Sequence, residues 1–171
     1  MLKIISTGFE GGERAALDAA IDKLHPWGGT CPMGRSGQFS QMPDQYFTGN
    51  GKGALVEGSS SRPTPARFAN ARDADATLVL SMTSAKIPMV CKDIIIMLRQ
   101  NKGRYLIVDP RKTYEVKRVV RWIAESDLRI LNISSSPKKD DDPFTTKTFV
   151  FIKDVLTYTT LYSTTGVKIW T

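Results

Sequence analysis

Leu2-Lys3-Ile4-Ile5-Ser6-Thr7-Gly8-Phe9-Glu10-Gly11-Gly12-Glu13-Arg14-Ala15-Ala16-Leu17-Asp18-Ala19-Ala20-Ile21-Asp22-Lys23-Leu24 is the stretch that decides the fold. Leu2 to Ser6 reads as a short β-strand. Thr7 to Gly12 is a turn that needs glycine. Glu13 to Leu24 carries apolar residues at Ala16, Leu17, Ala20, Ile21 and Leu24, the spacing of one helical face. Strand, glycine turn and helix together open an α/β sheet. They leave a helix N-terminus at the carboxyl edge of the first strand, where free amides and the helix dipole favour an anion. Gly8, Gly11 and Gly12 do not make the GxGxxG or Walker A spacing. Glu10 and Glu13 would repel an anion placed directly over the helix start. A turn in which glycine merely supplies positive φ is the competing reading.

The chain outside this stretch sets the class. Its 171 residues suffice for one domain with a proper core, residues 1–171 as a single unit. Charged residues at 24% and apolar ones at 41% are ordinary for a globular protein. No apolar run reaches the length of a membrane span, and the start lacks the basic-then-apolar order of a secretory signal. Cys31 and Cys91 stand far apart, which suits reduced thiols in the cytoplasm. The net charge of +7 admits a nucleic-acid partner. Its basic residues are dispersed, however, and Lys138-Lys139 is answered by Asp140-Asp141-Asp142, so small anionic ligands are the better match.

Further elements follow in alternation. Trp27 to Cys31 suits a second strand. Pro32 to Pro65 is glycine-rich and polar, and reads as a long loop of functional length. Ala66 to Asp73 is helical, Ala76 to Met82 a strand, Met89 to Gln100 a helix, and Arg104 to Asp109 a strand. Tyr114 to Ser126 is a helix and Leu128 to Ile133 a strand. Ser134 to Asp142 reads as a polar loop. Asp142-Pro143 reads as an N-cap with proline at N1, opening a helix to about Thr157. The Thr- and Tyr-rich tail from Thr159 to Thr171 suits an edge strand. The expected fold is therefore α/β and Rossmann-like, a mostly parallel sheet with helices on both faces. Four loops should meet at its ligand edge: Thr7–Glu13, Cys31–Arg35, Met82–Pro88 and Ser134–Lys139.

Gly8 to Ala20, together with Gly28-Gly29-Thr30-Cys31-Pro32-Met33-Gly34-Arg35, resembles the molybdenum-cofactor carrier family. That family is Rossmann-like and related to the lysine decarboxylase-like nucleotide phosphoribohydrolases. The likeness continues through Asn70 to Leu78, Arg121-Trp122-Ile123 and Leu131-Asn132-Ile133, and stops near Leu156. It implies molybdenum cofactor as a ligand and a homo-oligomer as the assembly. Three glycine elements of the family are altered here, at Thr7–Gly11, Thr83–Lys86 and Ser134–Pro137. The phosphoribohydrolase Pro-Gly-Gly-x-Gly-Thr-x-x-Glu signature is missing.

The ligand-binding candidates are Gly8, Gly11, Gly12, Arg14, Cys31, Gly34, Arg35, Asn70, Ser134 and Ser135. The glycines offer amides, the arginines charge-assisted donors, and the serines hydroxyls. Lys138 adds an ammonium, and Arg62 and Arg67 could close over the pocket. Arg14 has a competing role in locking the loops, and Cys31 one as a small buried apolar residue. No metal site is expected: one histidine, His25, and two distant cysteines supply too few ligands. Three functions stay open. The first is a carrier binding a phosphorylated pterin- or nucleotide-like ligand. The second is a nucleotide or sugar-phosphate hydrolase using Glu10 or Asp73 as general base. The third is an oligomeric scaffold with a degenerate site.

Overall fold

The computed structural model describes residues 1–49, 51–82 and 87–168. Six strands, β1 (Lys3–Ile5), β2 (Trp27–Cys31), β3 (Gly53–Glu57), β4 (Ala76–Leu80), β5 (Arg104–Val108) and β6 (Ile130–Ser135), form one sheet in the order β3-β2-β1-β6-β4-β5. Every pairing is parallel. The α/β, Rossmann-like expectation is met.

The helices are α1 (Gly12–Asp22), α2 (Gln45–Thr48), α3 (Pro63–Asp73), α4 (Met89–Gln100), α5 (Tyr114–Glu125) and α6 (Pro143–Thr165). α1, α5 and α6 pack together as one layer, and α3 and α4 as another. β4 is buried at all five residues, as a parallel strand covered on both faces must be. α5 turns Val116, Val119, Val120 and Ile123 inward. Ile152, Val155 and Leu156 of α6 are fully buried in the main core with Leu17 and Ala20 of α1.

The expectations fail in three places. The stretch Pro32–Pro65 holds α2, β3 and the start of α3. β3 is a short edge strand in which only Leu55 is buried, so the sequence shows almost no alternation to read. Ser134 and Ser135 lie in β6, opposite Val79 and Leu80 of β4, and the loop begins after them. The tail is helical to Thr165 and ends on Gly166 at φ 71°. Past the buried Ile152, Val155 and Leu156, the helix carries on through buried Thr159 and through Thr160, whose hydroxyl meets His25 Nε2 at 3.1 Å. Threonine and tyrosine disfavour helix by only a few tenths of a kcal/mol each. The hydroxyls of Thr157, Ser163, Thr164 and Thr165 donate to carbonyls four residues back and fit the helix. Residues 169–171, and the Thr83–Lys86 part of the expected Met82–Pro88 loop, lie outside the described residues.

Candidate functional site

The carboxyl ends of the strands form the rim on which the site is built. β4 leads into α4 in one layer, and neighbouring β6 leads into α6 in the other. Such a divergence opens a crevice at the strand ends. A cavity of about 230 Å³ lies there, lined by Leu80, Ser81, Met82, Pro88, Ser136, Lys138 and Phe144. Lys138 Nζ is 4.0 Å from Asp142 Oδ2, a loose pairing.

Beside the crevice, β1 turns into α1 through Gly11, whose φ of 92° suits glycine. A Cβ on Gly12 would lie 2.7 Å from Ser135 Oγ, so α1 meets the end of β6 at closest approach. Glu13 is buried here. Its Oε1 accepts from the Ser135 amide at 3.2 Å and pairs with Arg67 Nη2 at 3.3 Å. Its Oε2 accepts from Thr7 Oγ1. The Arg67 guanidinium lies 4.8 Å above the Phe9 ring. Arg67 is thus a buried tie between the two helical layers rather than a lid.

Glu10 is also buried. Its carboxylate accepts from Ser40 Oγ and the Ser40 amide at 2.7 Å, and from the Gln38 amide at 2.8 Å. Burial opposes its charge, but the Ser40 hydroxyl and these amides outweigh burial and hold its pKa below the usual glutamate value. A carboxylate engaged in this way anchors residues 38–40. The general-base role suggested for Glu10 would require it to leave these partners.

Gly11 and Arg14 already hold an anion, one supplied by the chain itself. Asp140 Oδ1 accepts from the Gly11 amide at 3.3 Å, and Oδ2 from Arg14 Nη1 at 2.8 Å. Arg14 Nε donates to the Gly8 carbonyl at 3.3 Å. Arg14 therefore does lock loops together. On the outer side, a cleft of about 440 Å³ runs between α1, α2 and α6, lined in part by Arg14, Asp18, Tyr46, Asp140, Thr145 and Phe149. Tyr46 Oη donates to Asp18 Oδ1 at 2.5 Å. Burial raises the Asp18 pKa above its ordinary value, and the Tyr46 hydrogen bond only partly offsets it.

The remaining candidates scatter. Arg35 donates to Glu57 Oε1 at 2.8 Å and Asp44 Oδ1 at 3.1 Å, and lies over Phe47. The Gly34 amide donates to Glu57 Oε2. Both brace the segment after β2. Asn70 donates to the Thr30 carbonyl and accepts from the Thr30 amide, clamping α3 to β2. Ser134 Oγ is 3.9 Å from Cys91 Sγ in the interior. Burial, then Glu57, pushes the Cys31 thiol up to about 11; burial, then Glu13, does the same for Cys91. Asp73 closes α3 and pairs with Arg72, while Asp75 accepts from the Arg129 and Ile130 amides. Both sit at the amino ends of the strands, away from the rim, so Asp73 does not join Glu10. His25 is buried, with Nδ1 at the Leu2 carbonyl and Nε2 at Thr160 Oγ1, a packing role.

Sequence reasoning missed Asp140, Tyr46 and Phe144 as rim and cleft residues. Only the run Lys138–Asp142 signalled a charged loop, and its partners depend on how that loop returns over α1. Among the described residues no three His, Cys, Asp or Glu side chains converge as a metal site, and no helix is long and apolar enough to cross a membrane.

The model of the circularly permutated YpsA SLOG family matches residues 4–156. Among solved structures, the putative molybdenum carrier protein of Syntrophus aciditrophicus SB shares 26% identity with this chain. The match covers 91% of this chain and 95% of that one, with a TM-score of 0.77. No curated protein matches the chain.

Proposed function

Because this chain belongs to the circularly permutated YpsA SLOG family, we propose that it is a binding or carrier protein for a phosphorylated, pterin- or nucleotide-like molecule held at the carboxyl rim of the sheet. The observation that carries the reading is the crevice between β4 and β6, where the following helices diverge and Lys138 and Ser136 line a cavity. An ammonium and a hydroxyl suit a phosphate, while Leu80, Pro88 and Phe144 supply apolar wall for the attached group.

The solved relative is named a putative molybdenum carrier protein, and molybdenum cofactor is the candidate that the family resemblance implies. The residues present fit its phosphate-bearing end: the volume bounded by described residues is below the usual 300–1,000 Å³ of a whole-ligand pocket. Both thiols are buried and neither lines the crevice, so molybdenum would arrive there held by its own organic ligand rather than by cysteine. Lys138 and Ser136 would bind the phosphate, and the apolar wall would shield it from water. We assign no hydrolytic step: Glu10 is engaged by residues 38–40, and Asp73 lies at the opposite rim.

Equilibrium dialysis and thermal-shift titration with inorganic phosphate, nucleoside monophosphates and molybdopterin test the reading. Binding should weaken about tenfold in Lys138→Ala, the loss of one charge-assisted contact. Absence of binding by every anion in the panel would overturn it.

A further inference from the structure

We propose that the open edge of the sheet at β5 docks an acidic, extended segment of a partner protein, which adds as a further strand beside Tyr105 and Ile107. The docking does not depend on what the β4–β6 crevice binds. It adjoins that crevice, because Ser81 and Met82 line both, so a docked partner would lie next to a carried molecule.

The backbone is the first observation. β5 ends the order β3-β2-β1-β6-β4-β5, so one of its edges has no neighbouring strand. The Val108 carbonyl accepts from the Ser81 amide at 2.9 Å, which turns the Val108 backbone toward β4. Backbone groups alternate along a strand, so Tyr105 and Ile107 turn theirs outward. Among the described residues the Ile107 carbonyl receives only Arg118 Nη1, at 3.5 Å. That nitrogen has its closer bond, 2.9 Å, to Glu115 Oε2. An incoming strand therefore meets two amides and two carbonyls.

Charge is the second. From Arg99, near the end of α4, through Glu125, the end of α5, the chain carries eight Lys and Arg against three carboxylates. Five of the net +7 charges thus belong to the segment that builds this edge. The three carboxylates, Asp109, Glu115 and Glu125, are taken by Arg111, Arg118 and Arg121. Arg99, Lys102, Arg104, Lys112 and Lys117 pair with no carboxylate among the described residues.

The third is a groove of about 620 Å³ between β5 and α5, walled in part by Ile107, Lys112, Tyr114 and Arg118. Tyr114 and Met82 in its wall are 63% and 43% exposed and offer apolar contact. Main-chain bonds at a sheet edge, with contacts for alternate side chains, are how an extended peptide joins a sheet. Charge selects the occupant. A second copy pairing β5 to β5 would set one basic edge against another, the device by which edge charges prevent self-association. Single-stranded nucleic acid needs successive open ring faces. Here Tyr105 is half-buried with the Arg99 guanidinium 5.7 Å over its ring, which leaves Tyr114. An acidic strand uses the unpaired cations and the open backbone together.

The test uses the full chain and a fluorescein-labelled heptapeptide alternating glutamate and valine, read by anisotropy and by hydrogen exchange. The peptide should bind at low salt and weaken as salt rises. The Tyr105 and Ile107 amides should become protected, and a lysine–valine counterpart should not bind. Lys112→Glu with Arg118→Glu, both exposed positions, should weaken binding about tenfold. Two further peptides, N-methylated on alternate residues in opposite registers, keep the charge and each lose the donors of one edge. One of the two should bind about tenfold more weakly than the parent peptide. Undiminished affinity of both would reduce the contact to ion pairing and overturn the proposal. Absence of binding at low salt would overturn it too. So would protection of the two amides in the free protein that rises with its concentration, the mark of self-pairing. An oligothymidylate that binds more tightly than the peptide and protects the same amides would replace the acidic strand with nucleic acid.

Discussion

Glu13 Oε1 and Arg67 Nη2 lie 3.3 Å apart at the ends of β1 and β6, with neither side chain more than 4% exposed. The pair is sealed from water, so each charge depends on the other. Glu13→Gln keeps one oxygen to accept from the Ser135 amide, turns its NH2 toward the Thr7 hydroxyl, which can accept, and leaves Arg67 buried without a counter-charge. Destabilisation of about 3–5 kcal/mol is expected, read from urea midpoints at unchanged slope. Glu13→Gln combined with Arg67→Met should recover part of that loss. Additive losses in the double variant would show that the two charges are not coupled.

Glu10 makes the attachment of residues 38–40 depend on pH. Its folded pKa is depressed from the ordinary 4.5. A depressed carboxylate stabilises the fold above its unfolded value, and the contribution is lost as pH falls through the folded one. The Gln38 and Ser40 amides should therefore be protected from hydrogen exchange at neutral pH and lose protection below 4.5. Glu10→Gln should show weakened protection at all pH values. Equal protection in that variant at pH 7 would count against the anchor.

Gly12 has no space for a methyl group. The Cβ of Gly12→Ala would lie 2.7 Å from Ser135 Oγ and 3.0 Å from Ser135 Cβ, both inside contact distance. Separating α1 from β6 should cost about 1–3 kcal/mol. Adding Ser135→Gly to Gly12→Ala should relieve the clash, as a double-variant melting series would show.

The thiols should be slow to react. Burial, with a nearby carboxylate in each case, pushes Cys31 and Cys91 up to about 11, so little thiolate exists at pH 8. Iodoacetamide should modify the native protein far more slowly than the protein in urea. Rapid native labelling at Cys31 would reveal an opening of the segment around Arg35.

The sequence makes some of this architecture readable and hides other parts, for physical reasons. Ala76 to Leu80 and the helical stripe of α5 carry strong patterns because burial enforces them. β3 escapes notice because an edge strand with one buried side chain needs no alternation. The tail misleads because threonine favours strand locally, whereas here it continues α6, with Thr159 buried and Thr160 at His25. At the candidate site, Glu10 and Glu13 read as obstacles to an anion. In the structure they are the anions, each given its own donors by a distant segment. Asp140 at Gly11 is a pairing 129 residues apart, and no local spacing encodes it.

The position of β6 in the sheet has a further consequence for synthesis. It is the last strand of the sheet in chain order among the described residues, yet it fills the gap between β1 and β4. On a ribosome, a nascent chain ending before Ile130 could pair only two half-sheets, β3-β2-β1 and β4-β5, each with an interior edge open to solvent. Truncations before that point should be chaperone clients or aggregate through those edges. Emergence of residues 130–135 from the exit tunnel then becomes the step that commits the chain to its native state.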